Sequence, residues 1–171
     1  AIAYDRATIG GVIDRLVAGW EETPPEAPML MVGSTGSRGA TRKLMCAIAR
    51  LPQGAVILPG FDIDQKSDVW DRLMDTATMP AEDHPQYRFA HLMRSLGLRP
   101  DAVMTWWHRA VPVNPKRNAL VSLALRPAPV TDQWQVDGPQ FEGIAEAAAG
   151  MTLIEAPSPR AEAGAIALIL R

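Results

Sequence analysis

The hydrophobic pattern changes its period along the chain, and this change predicts two kinds of element. Two short apolar runs, Met29–Val32 and Ala55–Leu58, contain no polar alternation. Between them, apolar residues recur at helical spacing over residues 40–51. Apolar runs joined through a helix are typical of a parallel βαβ unit whose strands are buried on both faces. The segment 28–62 therefore predicts a strand, a polar loop, a helix and a second strand.

Apolar residues at helical spacing also predict helices on both sides of this unit. These helices cover residues 2–20, 67–74, 86–96, 118–125, 141–149 and 160–171. Ser67 or Asp68, and Ser158, are the expected N-caps, and Gly97 is an expected C-cap. Further strands are expected at 102–107 and 151–156. The alternation of strands and helices predicts an α/β fold with three layers, a mostly parallel sheet flanked by helices.

The chain divides into a long first part and a short second part. We expect residues 1–150 to form one α/β domain with a helical insertion. Residues 151–171 form a strand–turn–helix unit, which is either the last unit of that domain or the start of a second one. The sequence begins without Met inside an amphipathic pattern and ends inside an apolar helix. Both features indicate a piece of a longer protein.

Composition indicates an ordinary globular protein and excludes few functions. The 171 residues are 47% hydrophobic and 21% charged, with a net charge of −2. That charge predicts no strong general attraction to nucleic acid. The single Cys46 excludes a disulfide framework and a CxxC metal motif, which favours a reducing, cytoplasmic setting. No apolar run reaches the ~18 residues typical of a membrane span.

The loop after the first strand invites comparison with the phosphate-binding P-loop, G-x-x-x-x-G-K-[ST]. The spacing fails, because Arg38 stands where the second Gly is needed. Gly39 is followed by Ala40 rather than Lys, and Lys43 lies one turn further into the helix. A helix N-terminus rich in Gly, Ser and Thr can still bind an anion without Lys. The same residues are used by any strand-to-helix turn, and we favour that interpretation.

Other candidate groups form no catalytic or metal-binding constellation. Asp62 and Asp64 follow the second strand, but a Mg²⁺ site would need a phosphate loop beside them. The histidines at 84, 91 and 108 lack metal-ligand spacing. Aromatic and basic residues alternate as they do in single-strand binders, although core tryptophans are the favoured interpretation. These possible DNA contacts are Trp106, Trp107, Arg109, Lys116 and Arg117.

Several sequence blocks resemble a known family. The run GSTGSRGATRKLMCAIARLPQGAVILPGFD and the later HPQY (residues 84–87) resemble the AddB subunit of AddAB-type helicase–nucleases of alphaproteobacteria. The final run MTLIEAPSPRAEAGAIALILR agrees with that family. It is also similar to the strand and helix that open the second motor domain of UvrD-like superfamily I helicases. The resemblance spans residues 27–171.

The resemblance implies part of a P-loop helicase motor core that has lost its activity. Active relatives hold Mg²⁺ with an Asp-Glu pair after one strand and sense phosphate with a Gly-Asp-x-x-Gln motif after the next. The corresponding positions here are Gly33, Ser34, Thr35, Gly36 and Ser37, followed by Asp62 and Gln65. Without the carboxylate pair, this loop does not neutralise phosphate charge. The resemblance therefore implies no catalytic residue and no metal in this segment.

The family also implies partners and cofactors. An AddB-type protein pairs with an AddA-like helicase–nuclease subunit, binds double-stranded DNA ends and serves recombinational DNA repair. Its Mg²⁺-dependent nuclease and its iron–sulfur cluster lie outside this segment. We therefore expect a non-catalytic segment that scaffolds or channels DNA, or that docks to the partner subunit. The alternative is a self-contained α/β enzyme that binds a phosphorylated ligand at Ser34–Gly39.

Overall fold

The computed structural model describes residues 6–75, 81–105 and 112–171. Helices dominate this part of the chain, with two strands near its beginning. The strands are β1 (Met29–Val32) and β2 (Gly54–Ile57). The helices are α1 (Arg6–Glu22), α2 (Gly39–Arg50), α3 (Ser67–Met74), α4 (Tyr87–Leu96), α5 (Pro115–Ala124), α6 (Gln133–Asp137), α7 (Ile144–Ala147) and α8 (Pro159–Ile169).

The predicted βαβ unit is confirmed. β1 and β2 pair in parallel, with Met29 opposite Gly54 and Val32 opposite Ile57, and α2 connects them. The turn into β2 requires glycine, because a Cβ on Gly54 would lie 1.8 Å from the carbonyl oxygen of Ile48. The described residues thus form a mixed α/β fold around a two-stranded parallel sheet. They do not form the larger sheet of the expected three-layer architecture.

The core consists of two apolar clusters that share one helix, α4. The first cluster joins α3 to α4 through Trp70, Leu73, Phe89, Ala90 and Met93. The second joins α2 to α4 through Met45, Cys46 and Leu92, with Met31 and Val56 of the strands packed against it. Phe61, in the loop after β2, stacks on Trp70 with ring centroids 4.9 Å apart. α4 therefore holds the loop after β2, helix α3 and the sheet together.

Most predicted helices form, but several of their ends differ. Gly97 adopts φ 69° as the C-cap of α4, and Ser158 accepts the N–H of Ala161 at 3.2 Å as the N-cap of α8; both caps are confirmed. The N-cap predicted at Ser67 or Asp68 is wrong, because Lys66 takes that position and no side chain caps α3. α5 begins earlier than expected, and the helix expected over 141–149 is only the single turn α7.

Neither additional strand is found among the described residues. A 3-10 turn occupies Pro100–Ala102, residues 103–105 pair with no strand, and positions 106 and 107 lie outside the described residues. Residues 151–156 are also unpaired, so the strand predicted there is wrong. β-forming side chains make a strand only when a neighbouring strand is available. The division of the chain at residue 150 stays a prediction.

The last helix is amphipathic in sequence but lies bare in the structure. α8 has no buried residue, and Leu168 and Leu170 are 75% and 81% exposed. The preceding segment also exposes Leu153, at 85%. Among the described helices, none combines the length and the apolar character that a bilayer crossing needs.

Candidate functional site

The loops that follow β1 and β2 lie side by side. The parallel register ends with Val32 opposite Ile57, and the N–H of Gly33 donates to the carbonyl oxygen of Ile57 at 3.2 Å. Polar residues follow both strands at this carboxyl edge of the sheet, which is where ligands of α/β proteins usually bind. The fold therefore brings Gly33 and the segment leading to Asp62 to one edge, as the expected nucleotide site requires.

The loop after β1 is shaped by its own hydrogen bonds. Gly33 and Gly36 adopt φ values of 77° and 65°, a region that disfavours other residues. The hydroxyl of Ser34 accepts the N–H of Gly36 at 3.3 Å. Gly36 is buried, and a Cβ there would lie 3.1 Å from the sulfur of Met45. This geometry supports a strand-to-helix turn, in which Ser34 is used to form the turn.

The rest of this loop is tied to neighbouring helices. The carbonyl oxygen of Ser37 accepts a hydrogen bond from Arg88 of α4 at 3.2 Å, and Thr35 is exposed. Arg38 takes the N-cap position of α2, and its side chain makes no capping hydrogen bond. Lys43 forms an ion pair with Asp14 of α1 at 2.8 Å. The lysine nearest to the loop in sequence is thus engaged with a different helix.

The loop after β2 is held by Gln86, which sequence analysis did not select. The side-chain amide of Gln86 donates to the carbonyl oxygen of Gly60 at 2.9 Å and accepts the N–H of Asp62 at 3.1 Å. Asp62 in turn accepts the N–H of Asp64 at 3.0 Å through its own carboxylate. Burial, and next the charge of Asp62, raise the pKa of Asp64 above its usual value. The carboxylate of Asp62 therefore stabilises a turn.

Gln65 lies close to this loop but contacts no polar partner. Its side chain is 7% exposed, and both of its amide atoms are buried without a hydrogen bond among the described residues. A buried amide without partners is costly, because it has lost its hydrogen bonds to water. Gln65 is therefore a predicted site residue whose polar atoms are both buried and without a partner among the described residues.

His84 joins the same loop to the end of α5. Its Nδ1 accepts the N–H of Gln86 at 3.1 Å, so the proton is on Nε2, which donates to the carbonyl oxygen of Leu125 at 2.6 Å. Burial lowers the pKa of His84 below its usual value. Together, His84 and Gln86 make the HPQY block a hydrogen-bonded joint between two loops. The only sequence signal for it was a polar turn placed immediately before an apolar helix.

A cavity of about 290 Å³ opens beside this joint. It brings Asp62 and Asp64 together with Arg117 of α5, which sequence analysis had assigned to a different site. The hydroxyl-bearing residues of the loop after β1 are not among its walls. The carboxylates of the second loop thus face α5, whereas the first loop is bonded to α4.

The residues predicted as possible DNA contacts do not share one environment. Trp106, Trp107 and Arg109 lie outside the described residues. Arg117 is engaged within the protein, because its Nε donates to the carbonyl oxygen of Ala147 at 2.9 Å and its other nitrogen reaches Ala149. Arg117 therefore caps the end of α7. Lys116 is half-buried and lines a separate cavity.

Metal and thiol chemistry gain no support from the described residues. No three of the described His, Cys, Asp and Glu side chains are arranged to hold a metal ion. Cys46 is buried in the apolar cluster between α2 and α4, and burial raises the pKa of its thiol. A thiol that is less ionised is a weaker nucleophile.

Comparisons with protein-family models, with curated proteins and with solved structures found no match to this chain. The assignment to the AddB family therefore stays a prediction from the sequence blocks. Two of those blocks contact each other in the structure. The side chain of Gln86, in HPQY, forms hydrogen bonds to the backbone of Gly60 and Asp62, in LPGFD.

Proposed function

We propose that this chain is a non-catalytic, degenerate motor segment of an AddB-like helicase–nuclease subunit. In this proposal its βαβ unit belongs to a three-layer P-loop fold that is completed by other parts of a longer protein. One observation carries the proposal. Two strand-end loops lie side by side at the carboxyl edge of the sheet, where ligands of α/β proteins usually bind, and the positions that would carry the Mg²⁺-binding acids of an active motor, residues 33–37, hold only Gly, Ser and Thr.

Phosphate chemistry supports the loss of activity. ATP hydrolysis needs Mg²⁺, carboxylates that hold it, and cations that neutralise the phosphates. Here Asp62 accepts a backbone N–H in its own turn, and Lys43 is paired with Asp14. Asp62 and Lys43 are therefore engaged within the fold. A segment of this kind acts as a scaffold or channel for DNA.

The proposal assigns partners and a location. The segment works in the cytoplasm, within a complex that contains an AddA-type helicase–nuclease subunit and binds double-stranded DNA ends. Mg²⁺ and an iron–sulfur cluster belong to other segments of that complex. The joint at His84 and Gln86 suits such a role, because its hydrogen bonds hold two loops in place.

Titration with a fluorescent ATP analogue in the presence of Mg²⁺ tests the proposal. We expect no saturable signal and no ATP hydrolysis. A second measurement mixes the chain with an AddA-type subunit from an alphaproteobacterium and follows complex formation by sedimentation velocity, where we expect co-sedimentation. Saturable, Mg²⁺-dependent ATP binding, or failure to co-sediment, overturns the proposal.

The alternative is a self-contained α/β enzyme that binds a phosphorylated ligand at Ser34–Gly39. It is favoured by the N-terminus of α2, whose first N–H groups receive no capping side chain and so can donate to an anion. Titration with a panel of sugar phosphates, followed by NMR of the backbone amides, separates the two functions. Shifts confined to Gly36 and Gly39 would favour the enzyme.

A further inference from the structure

Within residues 6–75, 81–105 and 112–171, the guanidinium of Arg126 is buried without a counter-ion. Arg126, just after α5, is 7% exposed and donates from one terminal nitrogen to the carbonyl and hydroxyl oxygens of Ser122, at 3.0 and 3.2 Å. Its Nε is buried and has no hydrogen-bond partner among the described residues. Within that part of the chain it also forms no ion pair. Arg126 therefore retains an unused donor and an uncompensated charge.

Arginine differs from lysine in its response to burial. The guanidinium stays protonated at any pH that a folded protein tolerates, whereas a buried lysine can become neutral. Burying an unpaired charge is costly, and the cost is offset only by an opposite charge or by further hydrogen bonds. The bonds to Ser122 satisfy one nitrogen of the group. An anion beside Arg126 would compensate the rest.

Arg126 lines a cavity of about 440 Å³ whose walls also include residues of α5, residues 64 and 66, and the segment 137–142. Lys116 of α5 lines the same cavity, as do Ala119 and Leu123, which lie between Lys116 and Arg126 in sequence. The methylenes of Lys116 lie against Gly143, where a Cβ would be 3.3 Å from them. Lys116 has no ion-pair partner in the described chain. Two unpaired cations thus share one cavity.

Acidic residues also line this cavity, but they are placed differently. Asp137 is paired with Lys66 at 2.6 Å, so that pair adds no net charge. Asp64 and Glu142 are exposed, whereas Arg126 is buried. The unpaired charge of Arg126 is therefore buried and that of Lys116 half-buried, whereas the two unpaired carboxylates are exposed to solvent. A bound anionic group is favoured beside the two cations.

We propose that this cavity binds a phosphate group, held by Arg126 and Lys116. Arginine offers a planar fork of donors and lysine a compact charge, a combination suited to an oxyanion with several acceptor oxygens. The cavity volume falls within the range of small-molecule sites, roughly 300–1,000 Å³. The site therefore has room for a phosphorylated molecule or for the phosphate end of a nucleic acid. It lies apart from the loop after β1 and does not depend on the function proposed above.

Thermal unfolding in the presence of pyrophosphate tests this site, with sodium chloride at matched ionic strength as the reference. We expect a saturable rise in Tm for the natural chain. Lys116→Gln should weaken the apparent affinity roughly tenfold, because one charge-assisted hydrogen bond is lost. The matched control is Lys43→Gln, an exposed lysine paired with Asp14 away from the cavity, which should leave the affinity unchanged. Absence of a saturable rise, or equal affinity in Lys116→Gln and the natural chain, overturns the proposal.

A second variant avoids dependence on one residue. Arg126→Lys loses the planar fork, and a lysine buried at this position can also lose its charge, so we expect weaker pyrophosphate binding together with a folded protein. Unaltered pyrophosphate affinity in this variant contradicts the proposed site.

Competition experiments then identify the source of the phosphate group. Displacement of pyrophosphate by a 5′-phosphorylated dinucleotide, but not by the same dinucleotide without that phosphate, assigns the site to nucleic acid ends. If inorganic phosphate displaces pyrophosphate and neither dinucleotide does, the site is assigned to a small molecule.

Discussion

The side-chain oxygen of Gln86 accepts the backbone N–H of Asp62 at 3.1 Å, across 24 positions of sequence. The amide nitrogen of the same side chain donates to the carbonyl oxygen of Gly60 at 2.9 Å. One glutamine therefore holds both sides of Phe61, whose ring stacks on Trp70. The position of the loop after β2 depends on α4 as much as on the strand that precedes it.

Replacement of Gln86 should destabilise the protein. Gln86→Ala leaves the N–H of Asp62 and the carbonyl of Gly60 without their partner, and we expect a loss of about 2 kcal/mol in the free energy of unfolding. Urea unfolding followed by tryptophan fluorescence measures it. The matched control is Gln53→Ala, whose exposed amide donates to Glu26, with an expected change of about 0.5 kcal/mol. Equal losses in the two variants would contradict the role of Gln86.

Stability should fall in mild acid because of His84. Burial lowers the pKa of His84 from 6.5, so the folded state favours the neutral ring. As the pH falls through 6.5, unfolded chains take up the proton first, and stability decreases until the lower pKa of the folded state is reached. Each such proton contributes at most about 1.4 kcal/mol per pH unit.

Urea unfolding at several pH values between about 5 and 8 measures this slope. We expect His84→Gln to flatten it. His91→Gln measures the share of the second histidine, because burial also lowers the pKa of His91, and the double variant should flatten the slope further than either single variant. A slope in His84→Gln as steep as in the natural chain would show that another group is responsible.

The turn into β2 should tolerate no side chain larger than that of glycine. Gly54→Ala places a Cβ 1.8 Å from the carbonyl oxygen of Ile48, so the backbone of α2 must move. We expect a loss of about 3 kcal/mol, measured by urea unfolding. Gly10→Ala in α1 is the control, since a Cβ there meets nothing within 4 Å and alanine favours the helix by about 1 kcal/mol. A neutral Gly54→Ala would mean that this turn is looser than described.

Arg117 should act on stability rather than on nucleic acid. Its Nε bond to Ala147 ties α5 to α7, and Arg117→Gln should cost about 1–2 kcal/mol in the free energy of unfolding. Arg99→Gln removes an exposed arginine 3.8 Å from Asp71 and should cost no more than about 1 kcal/mol. Thermal unfolding of both variants provides the comparison. If Arg117→Gln unfolds like the natural chain, its guanidinium is free for another role.

Local pattern predicted the βαβ unit, because each of its elements shows its period within a few residues. The joint at Gln86 and His84 was not predictable in this way. Its partners lie 24 and 41 positions away, and no single-sequence pattern specifies such pairs. The strand expected at 151–156 failed for a related reason. Alternation and β-branched residues indicate that a segment is compatible with a sheet. They do not indicate whether a neighbouring strand is available to pair with it.

In the candidate site, too, the local features were predictable from the sequence and the long-range contacts were not. The sequence placed Gly33 and Asp62 after successive strands, and the parallel register brings those strand ends together. It did not indicate that Asp62 would share a cavity with Arg117. Nor did it select Arg126, whose significance comes from burial without a counter-ion. Burial and pairing are properties of the packed chain rather than of any segment.

Because α4 contributes to both apolar clusters, the order of synthesis on the ribosome affects when the core is completed. Met45 and Cys46 of the βαβ unit complete their apolar cluster with Leu92, a residue of α4. The unit therefore leaves the ribosome with one apolar face uncovered, and that face stays uncovered until α4 has emerged. A nascent chain that pauses before α4 exposes this face to chaperones. The βαβ unit, which has the clearest sequence pattern, therefore completes its packing only after α4 has been synthesised.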